Sequence, residues 1–176
     1  MFKQIAMIGI AALSLSACGS QKTRTEVPLD PLVGPSSAPW ISVAATSGDL
    51  PVRGLDEKLI LTPSLPISEV IQAQLRQALQ SEYTANLTVA CEGMKADMRV
   101  KREDDVPSTA IFEVSMRCIT NARGYITRND MRAQPSAPVN AQTDYSKLLV
   151  SLVDSASKDM IEKVRADIAT SKSNLR

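Results

Sequence analysis

Met94-Lys95-Ala96-Asp97-Met98-Arg99-Val100-Lys101 alternates apolar and charged side chains without interruption. Successive side chains of a strand point to opposite faces, so a period of two describes a strand with one apolar and one charged face. Phe112, Val114, Met116 and Cys118 alternate in the same way with Glu113, Ser115 and Arg117. The polar residues 101–108, which include Pro107, read as the loop between the two strands. Upstream, Leu87, Val89 and Cys91 form a further period-two run, set off from the Met94 strand by a turn at Glu92-Gly93. Downstream, residues 121–124 turn the chain into a fourth, less regular strand over 124–133, with Tyr125 and Ile126 its best β formers.

A sheet with one apolar face needs helices to cover it. Two segments have the period. Val70, Ile71, Gln74, Leu75, Ala78 and Leu79 recur on one helical face after Pro66, with Ser68 placed to cap the first turn. Leu148, Leu149, Leu152, Val153, Ala156, Met160, Ile161, Val164 and Ile168 form a second, longer stripe backed by Asp154, Lys158, Asp159, Glu162, Lys163 and Asp167. Residues 40–44 and 59–62 read as two short strands joined by a loop or hairpin containing Gly48, Pro51 and Gly54, and 134–143, with Pro135 and Pro138, as a crossing loop. The expected fold class is α+β: a two-layer sandwich, mainly antiparallel, with both helices on one face of the sheet.

The amino end carries an address. Lys3 precedes an apolar run from Ile5 to Leu15, too short for the roughly 20 residues of a membrane span and suited to a removable signal. Leu15-Ser16-Ala17-Cys18 resembles the lipobox of bacterial lipoproteins, which implies cleavage after residue 17 and lipidation of Cys18. Three acyl chains would exceed the two signals that stable anchoring requires. Gly19 and Ser20 lack the aspartate associated with inner-membrane retention, so the resemblance implies an outer-membrane address, with the body facing the periplasm. Residues 18–39, broken by Pro28, Pro31, Pro35 and Pro39, read as an extended tether able to span roughly 70 Å. A single domain over 40–170 and a frayed end over 171–176 complete the expected division.

Composition excludes several functions. The 20 Lys and Arg against 19 Asp and Glu leave no global charge to attract nucleic acid. With no histidine, neither a Ser-His-Asp arrangement nor a His-ligated metal site can form, and aromatics at 3% leave few stacking platforms. No cofactor is indicated. Asp104-Asp105 reads as a solvated loop pair, and Glu82, Glu113 and Asp130 are isolated in sequence, without a neighbour to tune a pKa.

The order of elements after a lipobox resembles the small YajG-type family of Gram-negative outer-membrane lipoproteins. The residues concerned are Trp40-Ile41-Ser42-Val43 as opening strand, 69–79 as first helix, 94–100 and 111–118 as paired strands, and 145–168 as closing helix. That resemblance implies a fold and an address without an activity. Lipopolysaccharide-assembly lipoproteins of the LptE type share a similar order, but they follow the lipidated cysteine with Gly and an aromatic, where this chain has Gly19-Ser20.

The functional expectation is a non-enzymatic envelope lipoprotein, anchored in the membrane through Cys18, that binds a partner protein or stabilises an assembly. The alternatives are lipopolysaccharide binding or assembly, and a hydrolytic enzyme whose site forms only on folding. Lys95, Arg99, Lys101 and Arg117 share the outward parity and make an anionic-partner face, with Arg128 and Arg132 added if the fourth strand points the same way. Asp97, Glu113 and Asp130 interleave with them, so mutual pairing is the competing reading. With Cys18 lipidated, Cys91 and Cys118 are the remaining thiols of an exported domain. A hairpin around Asp104-Asp105 makes opposite residue numbers sum to about 211, two or three positions from pairing these cysteines, and a disulfide is expected between them.

Overall fold

The computed structural model describes residues 22–46, 48–103 and 106–173. The lipobox with Cys18, and the Asp104-Asp105 pair, lie outside the described residues. The described strands are β1 (Thr23–Val27), β2 (Ile41–Val43), β3 (Leu50–Arg53), β4 (Leu59–Pro63), β5 (Leu87–Glu103), β6 (Val106–Ala122), β7 (Tyr125–Ala133) and β8 (Ser136–Pro138). The helices are α1 (Ile67–Leu79) and α2 (Tyr145–Ser173). All eight strands join one mostly antiparallel sheet, with both helices packed on its apolar side, so the fold is an α+β sandwich.

The spine is the hairpin of β5 and β6, two strands of 17 residues each. Each would span about 55 Å at a strand's rise per residue. Residues 101–103 and 106–108, expected in a loop, continue the ladder, because alternation and pairing override polarity on a solvated face. The inward residues Ala110, Phe112, Val114, Met116, Cys118 and Ala122 of β6 are all buried. Truncating a buried Phe such as Phe112 to Ala costs about 3–5 kcal/mol.

The expected turn at Glu92-Gly93 is a bulge within one continuous strand. Glu92 pairs with Arg117 and Lys95 with Ser115, so Gly93 and Met94 together oppose Met116. Gly93 takes φ 64°, the left-handed conformation that a bulge of this kind uses. The extra residue lets odd-numbered Val89 and Cys91 and even-numbered Met94 and Met98 all point into the core.

On the far side of β5, β2 runs parallel to Val89–Cys91 and β3 parallel to Met98 and Arg99. The hairpin expected between the first two strands is instead formed by β3 and β4, with Leu50 opposite Leu61. Pro51 is tolerated because it precedes the residues of β3 that meet β5. On the far side of β6, β7 pairs from Val114 onward, while β8, within the expected crossing loop, pairs with Thr109 to Ile111.

The tether expectation is overturned for the described part of that segment. Residues 23–27 form β1, parallel to β4 at the sheet edge, and Val27, Leu29 and Ala38 are buried in the core. The prolines do not prevent this, since β1 ends just before Pro28 and Pro31 sits at the start of a single 3-10 turn, Asp30–Leu32. Leu29 donates its N–H to Ser64 Oγ at 3.0 Å, and Ser64 Oγ donates to Asp30 at 2.6 Å.

The first helix presents Ile67, Val70, Ile71, Leu75 and Leu79 to the core. Ser68 is not its cap: Pro66 holds that position without a side-chain bond, and Ser68 Oγ accepts the N–H of Thr46 at 2.9 Å. At the start of α2, Asp144 accepts the N–H groups of Ser146 and Lys147 at 3.1 and 3.2 Å. This helix, about 43 Å long at 1.5 Å per residue, does not fray at 170. Ser171 is buried and Lys172 Nζ donates to the carbonyl of Glu82 at 2.8 Å.

Candidate functional site

The pleat sets Lys95, Arg99 and Lys101 of β5, Arg117 of β6, and Arg128 and Arg132 of β7 on the face opposite the helices. Acids interleave with them. Arg53 pairs with Asp97 at 2.5 Å, Asp97 with Arg99 at 3.7 Å, Arg99 with Glu113 at 3.5 Å and Glu113 with Arg132 at 2.7 Å, a row crossing β3, β5, β6 and β7. Arg117 grips Asp130 with two bonds, at 2.8 and 3.2 Å. That bond and the charge behind it hold the Asp130 carboxyl below the ordinary carboxylate range and raise the Arg117 guanidinium. Arg99 and Arg117 are thus already occupied by acids of this chain. Glu113 and Asp130, isolated in sequence, acquire partners by pairing across strands, and Glu82 acquires Lys172 at 3.3 Å from the end of α2.

Residues of the sheet face do not converge on a deep site. Beside the bulge, Lys95, Ser115, Arg117 and Asp130 line a groove of about 570 Å³ on the outer face. A larger cleft, about 680 Å³, lies at the other end of the spine, where β5 approaches its turn into β6. Leu55, Leu59, Val100, Val139 and Tyr145 give it an apolar wall, and Asp56, Arg102 and Asn140 stand among its polar groups. Arg102 donates from one nitrogen to both oxygens of Asp56, at 2.9 and 3.0 Å. Burial raises the Tyr145 phenol pKa, and the nearby Arg102 charge works in the opposite direction.

Sequence reasoning did not single out this cleft. Its residues come mainly from three stretches, 55–59, 100–108 and 139–145, that are far apart in the chain. The one local signal was Tyr145, an aromatic just ahead of an apolar stripe in a chain with three tyrosines.

Cys91 and Cys118 are joined by a disulfide, with Cα atoms 4.0 Å apart and both side chains in the core. Among the described residues no three His, Cys, Asp or Glu side chains gather as a metal site, and no helix is long and apolar enough to cross a membrane.

No protein-family model and no curated protein matches the chain. Solved structures align with it at low identity. A Xanthomonas campestris protein of family DUF330 aligns over 90% of this chain and 91% of its own, with a TM-score of 0.51 and 10% identity. A minor lipoprotein from Acinetobacter baumannii covers 78% of this chain and 96% of its own, at TM-score 0.44 and 11% identity. A candidate lipoprotein from Caulobacter crescentus covers 78% and 93%, at TM-score 0.42 and 15% identity. The likeness to the Xanthomonas protein is one of fold alone, in a chain of almost unrelated sequence.

Proposed function

We propose that this protein is an exported, non-enzymatic envelope lipoprotein, held in the outer membrane by lipidated Cys18 with its domain in the periplasm, where it binds a partner protein or stabilises an assembly. The observation that supports this most is the division of its three cysteines. Two form a buried disulfide, a bond that persists in oxidising compartments, while the third closes the apolar run ahead of the domain. The YajG-type resemblance points to the same address.

The lipopolysaccharide reading draws on the outer face, where Arg99 and Arg117 already have acidic partners. The mixed sign of that face suits a protein partner of mixed charge better than a highly anionic lipid. Two experiments test the proposal. Cys18→Ser is expected to accumulate as an unprocessed precursor without lipid label, and normal labelling would refute the anchor. Crosslinking in intact cells is expected to capture one reproducible envelope protein, and a wild-type protein that captures none refutes the binding role.

A further inference from the structure

We propose that the cleft between the β3–β4 connection, the end of β5 and the start of α2 takes up an acyl chain of a membrane phospholipid, with Arg102 at its mouth to meet the phosphate. This rests on the reading of Cys18 as the membrane anchor. Thr23, the first residue of β1, lines the cleft. Four residues lie between it and Cys18, and those five steps of chain reach at most about 18 Å. The incorporation of residues 23–39 into the fold therefore removes the long stand-off that a free tether would allow. It brings one particular end of the domain to the bilayer, and that end carries the cleft.

The chemistry of the walls suits a chain of methylenes. Leu55 and Leu59 are only partly buried although they pack against the core, and Val100, Val139 and the Tyr145 ring continue the same apolar surface. An acyl chain places no hydrogen-bonding demand on such walls, whereas a peptide would bring backbone donors and acceptors that need partners. A volume of about 680 Å³ falls within the range of small-ligand sites. At the mouth, the Arg102–Asp56 pair is exposed, with side-chain exposures of 50% and 85%. Exposed pairs of this kind contribute little, so exchanging Asp56 for a phosphate costs little and offers the planar guanidinium a better-matched anion. Among the described lining residues Arg102 is the one cation, beside the acids Asp56 and Glu57.

The test uses the full-length mature lipoprotein in vesicles of phosphatidylethanolamine and phosphatidylglycerol that contain a phosphatidylethanolamine with a diazirine on one acyl chain. After illumination, label is expected on peptides containing residues 55–59 and 139–145. Ala141→Trp adds bulk at an exposed lining position outside the core, so the fold should be retained, as checked by an unchanged melting temperature. It should lower cleft labelling by roughly ten-fold, equal to about 1.4 kcal/mol. Arg102→Gln should lower it less and make it insensitive to the headgroup. Label confined to residues 18–23, absent from the protein, or unaffected by Ala141→Trp would overturn the proposal. The mass of the Cys18 peptide from the same sample separates the two readings. An unlipidated Cys18 overturns the anchor and the cleft's placement with it, whereas a lipidated Cys18 without cleft label overturns the cleft proposal alone.

Discussion

Cys91 and Cys118 stand directly opposite each other in the β5–β6 ladder because Gly93 and Met94 share one partner on the neighbouring strand. Between Lys101 and the bulge, opposite residue numbers sum to 210, as in Lys101↔Thr109 and Lys95↔Ser115. Beyond it they sum to 209, as in Cys91↔Cys118. One inserted residue therefore corrects the face of the strand and aligns the thiols.

Removing that bridge should be costly. The bond closes a separation of 27 residues, for which the chain-entropy model gives about 3.5 kcal/mol. The Cys91→Ala/Cys118→Ala double variant should lose about that much in urea unfolding relative to the oxidised protein. Wild-type protein, purified and denatured without reductant, should show no reactive thiol from this pair.

Two glycines with positive φ should respond differently to the same substitution. Gly93 has φ 64° and open space where a Cβ would be, so Gly93→Ala should cost only the left-handed conformation, about 1–2 kcal/mol. At Gly54, φ is 83° and a Cβ would lie 2.2 Å from the carbonyl oxygen of Val100. Gly54→Ala must also push β5 away from the β3–β4 connection, and on the order of 3 kcal/mol or more is expected. Chemical unfolding of the two variants side by side checks the order, and a Gly54 variant as stable as the Gly93 variant would contradict the close approach.

The spine was readable in the sequence because its signal is local. Met94 to Lys101 and Phe112 to Cys118 alternate so regularly that face and partner follow from parity alone. The edges were not readable, because what places them is not local. Thr23-Arg24-Thr25-Glu26 carries no alternation, and its place beside β4 is set by Val27 and Leu29 finding the core and by Ser64 satisfying the turn that follows. Ser68 matched a capping pattern, yet its hydroxyl accepts the N–H of Thr46, 22 residues away in the connection after β2. The cleft was invisible for the same reason, since its walls come from the stretches 55–59, 100–108 and 139–145, each some 30 residues or more from the next.

The outer edge of β2 offers a third prediction. Parallel pairing with β5 uses one side of this short strand, and α1 covers the other with side chains in place of a further strand. Gln72 Oε1 accepts the Val43 N–H at 2.8 Å, and Arg76 Nε donates to the Ile41 carbonyl at 2.9 Å. Gln72→Ala would leave the partly buried Val43 donor without its partner, at a cost of about 1–3 kcal/mol. Hydrogen exchange should locate the damage, with faster exchange at Val43 and unchanged exchange at Phe112 in the centre of the sheet.

The last prediction separates paired from available charge on the outer face. Arg117 depresses the Asp130 carboxyl, so this pair contributes stability above the unfolded carboxylate value near 3.8 and loses it as pH falls through the lower folded value. Arg117→Gln should therefore leave the melting temperature at neutral pH nearly unchanged, since both groups are exposed, and should move the Asp130 titration upward in an NMR pH series. Arg117→Glu differs, because it sets two carboxylates against each other and should lower the melting temperature above pH 4 by a few degrees. Lys95 and Arg128 form no ion pair among the described residues, so Lys95→Glu/Arg128→Glu reverses charge without breaking the row from Arg53 to Arg132. If the face grips an anionic partner, this double variant should lose capture at an unchanged melting temperature and wild-type capture should weaken as salt is raised. Capture that ignores both the reversal and the salt would leave the face as a surface whose charges serve one another.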